Sequence, residues 1–173
     1  EFEEYPEILV EGNIFEKNFR GVGAGFSGLG DVVYRNNYHR DGVSGSGVQF
    51  FHPGNTIEYN YIENTFELGA QLSMSRPDLV EMRGPGDSVF RYNTMKMAGV
   101  PTNFGDPSVV IEYNNLILNM GGGNWLEASD YSGAAEEMKN NWWGISDEGL
   151  LREHILDFNV DESRNRLVVE PIL

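Results

Sequence analysis

Two stretches of this 173-residue chain gather side chains able to do chemistry. The first, DLVEMRGPGDSVFRYNTMKMAG at 78–99, holds Asp78, Glu81, Arg83 and Lys96, with Arg76 just upstream. If residues 79–83 form a strand, alternation sends Val80 and Met82 one way and Leu79, Glu81 and Arg83 the other. That places a carboxylate and a guanidinium on the outer face, where Lys96 can flank them. Residues 76–96 form a basic island, with Arg76, Arg83, Arg91 and Lys96 against Asp78, Glu81 and Asp87, in a chain whose net charge is −15. The second stretch, YHRDGVSGSGVQFFHPG at 38–54, brings His39, Arg40, Asp41 and His52 beside a glycine-rich loop. An imidazole titrates near neutral pH, so His39 is a candidate acid or base, with Arg40, Asp41 and His52 as candidate binding groups. Plainer readings stand beside these: Glu81 and Arg83 as an ordinary surface ion pair, His39 and Arg40 as solvated turn residues. His39, His52 and His154 are scattered along the chain and do not read as a histidine-based metal cluster.

The net charge of −15 opposes nucleic acid and anionic membrane surfaces, which are held mainly by Lys and Arg, and leaves neutral partners or those bridged by a cation. The chain has no cysteine, which removes disulfides, thiolate catalysis and cysteine-ligated zinc together. No apolar run approaches the roughly 20 residues of a membrane span. The opening EFEEYPEILV is acidic where a signal peptide is basic and then apolar. With 40% apolar residues the chain is expected to form a single domain.

The elements that must position these groups show in a repeat. The pattern apolar-x-x-Asn-x-apolar occurs at Asn13, Asn36, Asn60, Asn93, Asn114 and Asn141, with separations of 23, 24, 33, 21 and 27 residues. Such a period, with β-branched residues and many glycines, predicts a β-solenoid. Three positions before the asparagine stand Val10, Val33, Ile57, Phe90, Ile111 and Met138; two after it stand Phe15, Tyr38, Ile62, Met95, Leu116 and Trp143. Both columns are expected to face inward. The column two before the asparagine, Glu11, Tyr34, Glu58, Arg91, Glu112 and Lys139, alternates in sign through its last four members, as a solvent-facing charge ladder would. Each asparagine is expected to take the unusual backbone angles of a sharp turn and to share amide hydrogen bonds with its counterparts above and below. Tyr59, Tyr92 and Tyr113, one position earlier, read as a stacked surface rib.

The asparagine repeats, the segments GVGAGFSG and GVSGSGVQFFHPG, and the closing NNWWGISDEGLLREHILDFNVDESRNRLVVEPIL resemble right-handed parallel β-helix proteins of the pectate-lyase-like, carbohydrate-active superfamily. The resemblance covers residues 8–173. It implies an all-β, right-handed parallel β-helix of about six coils, with residues 1–145 as coils and 146–173 as a C-terminal cap of the same domain. It also implies a secreted or cell-surface protein that binds or processes polysaccharide through its outer lateral face. The alternatives are a non-catalytic structural or adhesive solenoid and a calcium-dependent polyuronate lyase. The lyase resemblance makes Arg83 or Lys96 the base, and Asp78 and Glu81 the Ca2+ ligands, with the match resting on residue type. The GHG and paired-aspartate motifs of polygalacturonases, the DPHE motif of alginate epimerases and the RxPxxR pattern of pectate lyases are missing from the chain.

At the C-terminal end, Ser146 is expected to cap a helix through about residue 157, with Leu151, Ile155 and Phe158 on one face plugging the core. LVVEPIL reads as a last strand stopped by Pro171, and alternation should turn one of Trp142 and Trp143 inward. At the other end, residue 8 opens the first apolar strand with no amphipathic cap before it. Solenoids need covered ends, so the 173 residues are expected to be the C-terminal part of a longer β-helix, with preceding coils or another protein chain meeting the open N-terminal end.

Overall fold

The computed structural model describes residues 7–16, 32–40, 54–63, 88–97, 110–118, 126–128 and 135–170. Five successive repeats each contribute two short strands around a two-residue corner. In chain order these are β1 (Ile8–Glu11), β2 (Ile14–Glu16), β3 (Val32–Arg35), β4 (Tyr38–Arg40), β5 (Thr56–Glu58), β6 (Tyr61–Glu63), β7 (Val89–Arg91), β8 (Thr94–Met97), β9 (Val110–Glu112) and β10 (Asn115–Leu118). The odd-numbered strands form one five-stranded sheet, β1-β3-β5-β7-β9, and the even-numbered strands another, β2-β4-β6-β8-β10. Every pairing in both is parallel. Beyond them, β11 (Leu126–Glu127) pairs with β13 (Ile155–Leu156), and β12 (Ala135–Glu137) with β14 (Arg166–Val168). The protein is all-β with stacked parallel sheets, an arrangement consistent with a β-solenoid.

Strand alternation explains what lies between the sheets. On one side Val10, Tyr34, Ile57, Phe90 and Ile111 stack in register. On the other, Phe15, His39, Ile62, Met95 and Leu116 do so. All except Val10 and Phe15 are buried. Identical offsets stack because parallel neighbours, about 4.8 Å apart, keep each residue over its counterpart.

The second repeat corrects the expected register by one residue. Asn37, not Asn36, is the ladder member, so Tyr34 replaces Val33 in one inward column and His39 replaces Tyr38 in the other. The backbone N–H and Nδ2 of Asn13 donate to Oδ1 of Asn37, each at 3.0 Å. Asn37 donates in the same way to Asn60, Asn60 to Asn93, Asn93 to Asn114, and Asn114 to Asn141. In each of the five later members Nδ2 also reaches a main-chain carbonyl in the preceding repeat, as Asn60 does to Tyr34 at 2.9 Å. Asn37, Asn60, Asn93, Asn114 and Asn141 are buried, and the ladder supplies their partners.

The unusual backbone angle belongs to the residue before the ladder asparagine, not to the asparagine itself. Gly12, Asn36, Tyr59, Tyr92, Tyr113 and Asn140 have φ of 69°, 54°, 57°, 55°, 57° and 58°. A left-handed residue followed by an inward amide makes the corner, at about 1–2 kcal/mol for each tyrosine so placed.

The C-terminal segment also departs from expectation. Helix α1 (Glu148–Arg152) is five residues long, and its N-cap is Asp147, whose carboxylate accepts from the Leu150 N–H at 3.1 Å. Ile155 lies in a strand, where it is buried, as Leu151 is in the helix. Trp143 is buried and Trp142 half-buried, as alternation requires. The strand expected in LVVEPIL is β14, ending at Val168.

Candidate functional site

The outward residues around the corner form two aromatic rows. Tyr59, Tyr92 and Tyr113 are 54%, 42% and 44% exposed. Their rings stack with centroids 5.2 and 5.7 Å apart and interplanar angles of 12° and 14°. Immediately past the asparagine, Tyr38 and Tyr61 stack at 4.8 Å and 10°. Backbone geometry dictates the placement: the left-handed residue and the one after the asparagine both point away from the core, and parallel stacking brings like residues together.

Cations border both rows. The Arg91 guanidinium lies 5.5 Å from the Tyr92 ring centroid, the Lys96 ammonium 5.5 Å from that of Tyr61, and the Arg40 guanidinium 5.9 Å from that of Tyr38. With the register corrected, the column two before the asparagine reads Glu11, Arg35, Glu58, Arg91, Glu112, Lys139 and alternates without a break. Arg35 pairs with Glu11 at 2.9 Å, and Arg91 with Glu58 at 3.1 Å. The hydrogen bond from Arg35, with help from Asn36, holds the Glu11 carboxyl below the usual carboxylate range. Three residues past the asparagine Glu16 pairs with Arg40, and residue 63 is in backbone register with Lys96.

Chemically the corner offers ring edges, phenol hydroxyls and cationic donors at regular intervals along the stacking direction. Among the described residues there is no group of three or more His, Asp or Glu side chains that could hold a metal ion, and no helix is long and apolar enough to cross a membrane.

Of the residues singled out from the sequence, Arg40 and Lys96 fall on this surface. His39 does not: it points inward, is 8% exposed, stacks on Phe15 at 4.5 Å and hydrogen-bonds through Nε2 with the Tyr34 hydroxyl. Burial lowers its pKa to about 4 and pushes the Tyr34 phenol up. A surface acid or base needs a substrate atom within reach, and an enclosed ring in the core provides none. Arg76, Asp78, Glu81, Arg83, Asp41 and His52 lie outside the described residues, as does the expected strand 79–83. Arg35 was absent from the expected charge ladder, although the lone tyrosine interrupting that column is the signal that points to it.

Comparison with protein-family models, with curated proteins and with solved structures finds no match to this chain.

Proposed function

We propose that this chain is a polysaccharide-binding right-handed parallel β-helix, of about six coils with α1 closing its C-terminal end, that acts outside the cell or at its surface. The outer corner holds an extended glycan along the stacking direction without breaking a bond. The observation that carries the reading is the pair of outward tyrosine rows, one exposed and one half-buried, with ring spacings of 4.8–5.7 Å, bordered by Arg40, Arg91 and Lys96. Tyrosine presents rigid amphipathic area with little rotamer freedom to lose, and suits a ligand that is apolar on its C–H faces and hydroxylated at its edges. A row that repeats at the strand spacing meets a polymer many times, so weak contacts multiply. The acidic chain favours neutral glycans. Where the polymer carries carboxylates, Ca2+ held by Asp78 and Glu81 would bridge them, as the lyase resemblance implies, and Arg83 or Lys96 would then be the candidate base.

The competing structural or adhesive role draws on the same rows, because stacked rings cover one another's faces and so lend part of their area to the rib itself. Affinity gel electrophoresis separates the two. The wild-type chain should be retarded by at least one member of a panel of neutral and acidic polysaccharides. The Tyr59→Asn/Tyr92→Asn/Tyr113→Asn variant should lose at least about tenfold in affinity, the equivalent of roughly 1.4 kcal/mol. Asparagine already occupies this column at Asn36 and Asn140 with nearly the same φ, so the variant should fold. No retardation of the wild type, or equal retardation of both, overturns the reading. A calcium-dependent rise in ultraviolet absorbance on polyuronates would replace binding with elimination.

A further inference from the structure

Among the described residues the stack ends at β1 and β2. Among the described residues each pairs on one side only, β1 with β3 and β2 with β4. Ile8, Val10 and Phe15 are half-buried, whereas Val32, Tyr34 and His39, which stack on them, are buried; Ile14 is 70% exposed. An apolar edge alone says nothing about what covers it, but here three polar features do.

The first is the polarity of the asparagine ladder. Asn37, Asn60, Asn93, Asn114 and Asn141 each receive on Oδ1 two hydrogen bonds from the repeat before. Asn13 is the first member among the described residues, and there its Oδ1 is an acceptor on the β1–β2 edge with no donor. The second is the ladder Glu11, Arg35, Glu58, Arg91, Glu112, Lys139, which ends at this edge on a carboxylate. The third is the Glu16–Arg40 pair, which also sets a carboxylate at this edge. We propose that this edge is a docking surface for a strand–corner–strand polypeptide segment. Its occupant carries an asparagine to donate to Asn13, with Arg or Lys two residues before it and three residues after it. Main-chain bonds to a sheet edge supply affinity, and the matched charges and amide supply register. A second copy presenting the same edge would set Glu11 and Glu16 against their own like and Asn13 Oδ1 against another acceptor, so a basic segment is the favoured occupant.

The chain itself provides a probe. Its segment VVYRNNYHR, residues 32–40, meets all three requirements through Arg35, Asn37 and Arg40 and already stacks on β1 and β2 from the other side. The 173-residue chain, labelled with 15N, is titrated with this free peptide to about 1 mM, a range that captures weak association. Controls are the same peptide carrying Arg35→Glu and Arg40→Glu, the peptide carrying Asn37→Leu, and a scrambled peptide of unchanged composition. Amide shifts should be confined to residues 8–16 and their immediate stacking neighbours, with each control at least about tenfold weaker. Absence of binding, shifts elsewhere, or equal binding by the scrambled peptide overturns the proposal; the last would reduce the effect to attraction between a basic peptide and an acidic protein.

Discussion

His39 shows how a single side chain changes meaning with its surroundings. Its type and its neighbours Arg40 and Asp41 suggest acid–base chemistry, yet one residue of register carries it into the core against Phe15 and Tyr34. Folding holds the imidazole neutral, lowering its pKa from 6.5 to about 4 by burial. Between those values the unfolded chain takes up a proton that the folded chain refuses. The stability His39 confers is therefore fully present above pH 6.5 and is lost as pH falls toward 4. At 1.36 kcal/mol per pH unit this amounts to about 3 kcal/mol. Urea unfolding at pH 7 and pH 4 should show a wild-type loss larger by up to about that amount than the loss of His39→Phe. Parallel losses in the two proteins would mean that the ring is hydrated in the folded state.

Between elements, the asparagine ladder does what the strand ladder does along the sheets, tying each corner to the next through a buried amide. Asn60→Leu withdraws the acceptor for the Asn37 N–H and Nδ2 and the Nδ2 donor to Asn93 Oδ1 and to the Tyr34 carbonyl, leaving Asn93 Oδ1 only the backbone N–H of residue 60. Stranding buried polar groups costs about 1–3 kcal/mol each, so a loss of about 3 kcal/mol is expected. Asn36→Gly, at an exposed left-handed position that glycine adopts freely, should stay within about 1 kcal/mol of wild type in the same urea titration. Equal effects would place Asn36 and Asn60 in equivalent environments and undo the register.

This pair of residues also marks the limit of what the sequence disclosed. The period, the inward apolar columns and the outward tyrosine rib were legible because parallel stacking repeats residue types at fixed offsets. Consecutive asparagines at 36 and 37 left the second repeat ambiguous, and only Tyr34 breaking the charge alternation argued for the shift. Helix α1 is shorter than the apolar spacing suggests, because Leu151 and Ile155 suit one helical face as well as a helix followed by a strand.

At the scale of the molecule, one register determines the rest: which tyrosines and cations line the outer corner, which imidazole is buried, and which carboxylates and amide face the open edge. Shifting the second repeat by one residue would move His39 to the surface and Tyr38 into the core. The Tyr38–Tyr61 stack would then be lost, together with the Arg35, Asn37 and Arg40 partners of Glu11, Asn13 and Glu16, while Tyr59, Tyr92 and Tyr113 would keep their row. Side-chain amide hydrogen exchange, followed by 15N NMR on the unmodified chain, tests this most directly. Nδ2 protons of Asn37, Asn60, Asn93 and Asn114 are held in buried bonds to the next repeat, whereas that of Asn36 meets only the exposed Glu11 carboxylate. Slow exchange is expected for those four and solvent-like exchange for Asn36; a protected Asn36 beside a freely exchanging Asn37, or free exchange at all five, would overturn this register.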